Sequence, residues 1–265
     1  MRDVARSGTA LTDDGASIVW SATGSGEPIV LVAGQAVTMH SWDDLVPQLA
    51  SRFRVITFDQ RGIGASTEGS DPPRTTRRIA QDVMRVMDSA GIARAHVIGH
   101  SMGGRVAQWL AIDRPDAIGA LVLIATTGGD AAGYARSAEA TADLVSRDAA
   151  RLAVRFFSDS HLRAHPSAVD VFARKEGSPA TRHRAYEASS SHDSWANLPD
   201  IHSPTLVVHG NDDTITPPEN GRALAHVISG AEYLEVPDGR HAPHLDHPHV
   251  AGAIVDFISR HPLAG

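Results

Sequence analysis

The chain of 265 residues contains no cysteine. That rules out disulfides, a thiolate metal site and a cysteine nucleophile, and it fits a cytoplasmic protein. No window approaches ~18 uninterrupted apolar residues, so no membrane span is expected. Residues 1–6 lack the apolar core of a signal peptide. Positive charge is also short. Against 31 Asp and Glu stand 24 Lys and Arg, a formal net charge of −7, so neither nucleic acid nor an anionic membrane is expected as a partner. Arg74, Arg77 and Arg78 do cluster, but they open a predicted helix and read as its solvated face. There is no P-loop. Gly62-Ile63-Gly64 lacks the third glycine of a dinucleotide fingerprint. No internal repeat or low-complexity tract stands out.

What is present suits one large globular domain with an insertion, at 42% hydrophobic and 21% charged residues. Ile29 to Ala33, Val55 to Phe58, Ala95 to Ile98, Ala120 to Ala125 and Thr205 to His209 are apolar runs. Such runs mark parallel strands buried on both faces. Ala16 to Ser21 and the more polar Glu232 to Val236 are further strands. Helical spacing fills the gaps, most clearly Ile79, Val83, Val86, Met87 and Ala90 before Gly91, and again from Arg105 to Pro115. Alternation of this kind predicts an α/β fold with a mostly parallel sheet and helices on both faces. It breaks between residues 128 and 194, where an Ala-, Arg- and Ser-rich stretch reads as a helical insertion, with one helical pattern from Ala138 to Phe157. The expected organisation is therefore a core of 1–127 and 195–265 interrupted by 128–194.

Gly99-His100-Ser101-Met102-Gly103 fits G-x-S-x-G where a strand meets a helix. A serine on such a sharp turn projects its hydroxyl from the top of the sheet. In a chain with 23 glycines the pattern alone is weak. A serine hydroxyl needs an adjacent base to act as a nucleophile, and histidine is the usual one, held by an acid. Two aspartates, Asp212 and Asp213, compete for the acid after the strand ending at His209. His241 follows the last short strand, with His244 nearby. The run His241, His244, His247 and His249 is read as a loop and not a metal site, because Pro243 and Pro248 break its spacing.

Taken together these segments resemble the α/β-hydrolase superfamily over nearly the whole length. Asp59 to Ser66 resembles its D-x-R-G-x-G-x-S loop, Gly99 to Gly104 its nucleophile elbow, and Pro204 to Pro217 its acid loop. Gly239 to His241 with Asp246 to Pro248 resembles its histidine loop. The resemblance implies the triad Ser101, Asp213 and His241, with Asp213 chosen over Asp212. It implies an oxyanion hole from the backbone N–H groups of Met102 and Gln35. The family usually has His-Gly before that second position, and here it is Ala33-Gly34. Side chains of Gln35 and His40 are expected near substrate, and that of Met102 as a pocket wall. Asp59, Arg61, Gly62, Gly64 and Ser66 are read as structural, and Trp42, Trp109 and Trp195 as packing anchors.

Serine in the nucleophile position argues against the aspartate-based dehalogenases and epoxide hydrolases of this superfamily. The expected activity is hydrolysis of a small or medium carboxylic ester or lactone, with no cofactor and no metal. Cleavage of vinylogous diketone C–C bonds and cofactor-free perhydrolysis use the same triad and stay open. From another class, so does a ligand receptor on a hydrolase scaffold. The insertion 128–194 is expected to be a cap that sets specificity, with Tyr134, Phe156, Phe157, Phe172 and Tyr186 divided between substrate and core. Homo-oligomerisation is left open.

Overall fold

The computed structural model describes residues 6–263. The segment read for a leader, apart from Arg6, lies outside them. Among the described residues there are eight strands: β1 (Arg6–Leu11), β2 (Ser17–Thr23), β3 (Pro28–Val32), β4 (Arg54–Phe58), β5 (Ala95–His100), β6 (Ile118–Ile124), β7 (Thr205–Gly210) and β8 (Glu232–Val236). They form one sheet in the order β1-β2-β4-β3-β5-β6-β7-β8, parallel except where β2 pairs with β1 and β4. Every residue of β5, β6 and β7 is buried, as their apolar runs require. β1 lies at the edge of the sheet and has no counterpart among the strands expected from the sequence. This edge strand buries only Ala10, so it carries no hydrophobic signal.

Helices α1 (Val46–Ala50), α2 (Thr76–Ser89) and α3 (Met102–Asp113) belong to the first part of the core, and α9 (Pro218–Val227), α10 (Pro243–Asp246) and α11 (Pro248–Ser259) to the second. On one face Ile79 and Val83 of α2 and Val106 and Leu110 of α3 pack on the sheet; on the other, Leu49, Ile254 and Phe257 do so. Each such side chain contributes roughly 1.5–3 kcal/mol on burial. The Thr75 side chain caps α2 by accepting from the Arg78 N–H, and Gly91, at φ 69°, follows its end.

Between β6 and β7 the chain forms α4 (Ala138–Ser146), α5 (Ala149–Phe156), α6 (Asp159–Ala164), α7 (Asp170–Ala173) and α8 (Pro179–Ser190) and adds no strand to the sheet. The two ends of this stretch meet at an antiparallel bridge between Gly129 and Asp193, where Ser194 N–H donates to Gly128 O (2.7 Å). The single helical pattern expected from Ala138 to Phe157 is in fact two helices. Arg147 takes the left-handed conformation (φ 55°) that ends α4, and the Asp148 side chain caps α5 by accepting from Arg151 N–H.

Candidate active site

The sheet delivers the candidate residues to one edge. Its register pairs Val32 with Gly99, His100 with Ile124, and Ile124 with Val208. The loops leaving β3, β5, β7 and β8 therefore emerge side by side at the carboxyl ends of the strands. After β3 the chain turns to β4 on one side and resumes at β5 on the other. Ligands of open α/β sheets bind at such a switch point.

Ser101 sits there at φ 54°, ψ −119° between β5 and α3, a conformation that costs a non-glycine residue about 1–3 kcal/mol. Its surroundings hold it. Ser101 N–H donates to Ile124 O (2.9 Å), and Ser101 O accepts from Thr126 Oγ1 (2.7 Å) and Gly104 N–H (3.0 Å). The tight turn explains two glycines: a Cβ on Gly103 would overlap Val32 O, and one on Gly99 would overlap Gly103 O.

Ser101 Oγ–H donates to His241 Nε2 (3.0 Å), and His241 Nδ1–H donates to Asp213 Oδ2 (2.8 Å). The second Asp213 oxygen accepts from the N–H groups of Ile215 (2.8 Å) and Thr216 (2.9 Å). Burial by itself would raise the Asp213 carboxyl. Attraction to the imidazolium that His241 forms on protonation, with hydrogen bonding from His209 and His241, outweighs it and holds the group well below the ordinary carboxylate range. Asp213 is thus the aspartate that meets the histidine; Asp212 is exposed. His244 lies behind the site, buried against Trp42 and His100, its Nδ1 without a partner. His100 donates from Nε2 to His241 O (2.8 Å), and burial above all lowers its own pKa to about 3, so it is neutral.

Gly34 packs against Ser101, placing the loop after β3 beside the hydroxyl. Where the resemblance leads one to expect a supporting histidine, Ala33 O accepts from Gln60 Nε2 (2.8 Å). Gln35 O accepts from Arg147 Nη2 (2.7 Å), while Arg147 Nη1 donates to Phe172 O (2.5 Å). The helix break at Arg147 therefore sends a guanidinium from the insertion onto the loop that presents Gln35. A second tie runs from α5 to the histidine loop. The N–H groups of His241 and Ala242 donate to Arg155 O (3.1 Å) and Phe156 O (3.0 Å).

Ser101, His241 and Gln35 line a narrow cleft together with Phe156 and Phe172. Three arginines complete its wall: Arg105, Arg136 and Arg147. Sequence reasoning missed all three, because no local motif marks them; the adjacency of Arg147 and Asp148 at a helix junction was the available signal. Two expected positions differ. The His40 ring is two-thirds exposed, bonds to Asp43 (3.1 Å) and does not line the cleft. The Met102 side chain points into the core between α3 and the sheet, which leaves only its backbone at the site. Phe156, Phe157 and Phe172 form a buried cluster, whereas Tyr134 and Tyr186 are exposed. The Asp59 loop is structural, with Asp59 accepting from the N–H groups of Met39 and Ala65, and Arg61 gripped by Asp14 and Asp82.

A family model described as the alpha/beta hydrolase fold matches residues 27–248. This chain belongs to the alpha/beta hydrolase family. A hydrolase from Pseudomonas aeruginosa is 30% identical to it and superposes with a TM-score of 0.82, covering 96% of this chain and 98% of the other. The enol-lactonase from Burkholderia xenovorans LB400 is 26% identical, with a TM-score of 0.80 over 95% and 100%. A curated Mycobacterium tuberculosis protein, BpoC, provisionally named a non-heme bromoperoxidase, is 30% identical over 92% of this chain and 98% of its own. As an alpha/beta hydrolase the chain is a hydrolytic enzyme. Among the described residues no helix is long and apolar enough to cross a membrane.

Proposed function

We propose that this alpha/beta hydrolase cleaves small or medium carboxylic esters or lactones through an acyl-enzyme on Ser101. The observation that carries the reading is the unbroken series Asp213–His241–Ser101, at 2.8 and 3.0 Å, on a strained turn at the wall of a cleft. Ser101 Oγ adds to the carbonyl carbon as His241 Nε2 takes its proton. Asp213 holds the ring in the tautomer that can accept it and stabilises the imidazolium. The tetrahedral oxyanion is met by the backbone N–H groups of Met102 and Gln35, each such donor being worth about 3 kcal/mol. Collapse breaks the bond to the leaving oxygen, which receives the proton from His241. Water then adds to the acyl carbon while His241 takes its proton, and the acid departs as that proton returns to Ser101. The helices of residues 128–194, tied to the oxyanion and histidine loops by Arg147 and Arg155, act as a cap over this chemistry.

Reaction with a fluorophosphonate followed by peptide mass spectrometry should place the adduct on Ser101. Ser101→Ala should abolish it and lower ester hydrolysis by at least about 10⁴-fold. A folded protein that stays unlabelled and turns over no ester or lactone would refute the proposal. A panel of p-nitrophenyl esters, small lactones, dienoate diketones and peracid formation sorts this reaction from the C–C hydrolase and perhydrolase chemistries available to the same three groups.

A further inference from the structure

Some arginines of the insertion find carboxylates: Arg151 and Arg155 share Asp143, and Arg184 meets Glu68. Arg147 and Arg136, at the cleft, do not among the described residues. Arg147 spends its hydrogen bonds on the carbonyls of Phe172 and Gln35. Burial chiefly, and then the like charge of Arg182, lower its pKa to about 10. Arg136 has no carboxylate within ion-pair distance among the described residues and stands in the mouth, lining both the cleft and the depression that continues it past Thr141 and Tyr186. Arg105, one turn after Ser101 on α3, is nine-tenths or more buried. It donates to Ser189 O and pairs with Asp130 (3.1 Å). Burial lowers its pKa to about 10; Asp130 opposes that shift and the nearby charge of Arg136 adds to it. Asp130 is the only carboxylate lining either the cleft or its continuation among the described residues. Of the three guanidinium groups only Arg105 thus has an acidic partner.

We propose that the cleft takes a substrate carrying a carboxylate in addition to its scissile carbonyl, with Arg136 as the ion-pairing side chain and Arg105 and Arg147 supplying the surrounding positive charge. The proposal rests on Ser101 being the nucleophile of an ester or lactone hydrolase. Guanidinium is the side chain best shaped for a planar carboxylate, which it grips through two parallel N–H bonds. A neutral acyl chain would leave these charges beside apolar carbon and pay for their desolvation without a partner. An anionic substrate completes an arrangement that the protein's own carboxylates leave incomplete.

The test uses matched pairs. One is p-nitrophenyl hydrogen glutarate against its methyl ester, which puts the charge on the acyl side. The other is 4-acetoxybenzoate against its methyl ester, which puts it on the alcohol side. In at least one pair the anion should be favoured in kcat/KM by about 10- to 100-fold. Arg136→Gln should remove most of that preference, mainly through KM, and Arg136→Lys should keep part of it. Calorimetry of Ser101→Ala protein with glutarate and 4-hydroxybenzoate gives a readout independent of turnover. Binding of at least one should be detectable and should weaken about 10-fold or more when Arg136→Gln is added. If neither pair favours the anion, or Arg136→Gln leaves the preference intact, the proposal is overturned while the ester-hydrolase reading survives. If Ser101 is inert to all four esters, the reading itself fails, and the proposal with it.

Discussion

The elbow and the insertion reach the same cleft by opposite means. The elbow is built from short-range constraints: a strand with no exposed residue, two glycines that admit no Cβ, and a serine locked at φ 54°. The insertion is built from long-range ones. Arg147 reaches a carbonyl 112 residues away, and Arg155 O holds the amide of His241. Ser101, His241 and Asp213 thus meet at the strand ends, and the insertion reaches them from helices whose two ends join at the Gly129–Asp193 bridge, the neck of the insertion. The comparison predicts that changes at the strand ends remove activity outright, while changes in the insertion grade it.

Apart from loss of the nucleophile itself, the largest expected effect tests the strand-end half of that contrast. Asp213→Asn should lower kcat by about 10³- to 10⁴-fold, because an amide at this position favours the wrong histidine tautomer. Asp212→Asn, on an exposed side chain, should stay within about twofold. Steady-state kinetics on a p-nitrophenyl ester decide it, and equal losses for the two variants would break the assignment of Asp213.

The same contrast explains what a sequence can disclose. Ser101, Asp213 and His241 each follow a strand within a few residues, so each carries its own local text, and their meeting follows from the register of a parallel sheet. Asp213 could be chosen over Asp212 only by family resemblance; in the structure the choice is made by burial. Arg105, Arg136 and Arg147 carry no such text, since one arginine among many on a helical stretch reads as surface until its partner is known. The break at Arg147 was missed because the apolar spacing continues across it and only the Asp148 cap interrupts it. His40 failed for the reverse reason. It stands five residues from Gln35, but the chain between them turns through Ala36 at φ 51° and leaves its ring beside Asp43, facing water.

An intermediate effect is expected where the two regions touch. Arg147→Gln should lower kcat on neutral esters by about 10- to 100-fold, since a displacement of about 1 Å in a group that positions the reaction costs on that order. Arg147→Lys should recover little, because an ammonium cannot span the carbonyls of Gln35 and Phe172 as a guanidinium does. Fluorophosphonate labelling of Ser101 should slow in parallel while the melting temperature changes by only a few degrees. A loss confined to KM would show that Arg147 contacts substrate without supporting the loop.

The smallest effect concerns the neck. His192 is buried there, bonded through Nδ1 to Thr76 Oγ1 (2.7 Å), and burial above all lowers its pKa to about 3. The unfolded chain takes up a proton near pH 6.5 that the folded chain refuses until about pH 3. The stabilising contribution of this neutral imidazole is therefore complete above about pH 6.5 and declines as pH falls, by about 2 kcal/mol at pH 5. His192→Gln retains a polar side chain but removes the titration. Its stability deficit at pH 8, measured by urea unfolding, should shrink by about 2 kcal/mol at pH 5. Hydrogen exchange at pH 5 separates two ways this can happen. Global loss of protection means that insertion and core unfold as one unit. Protection lost first from α4 to α8 means that the neck yields before the sheet, and that the insertion can open while the strand ends still hold Ser101 against His241.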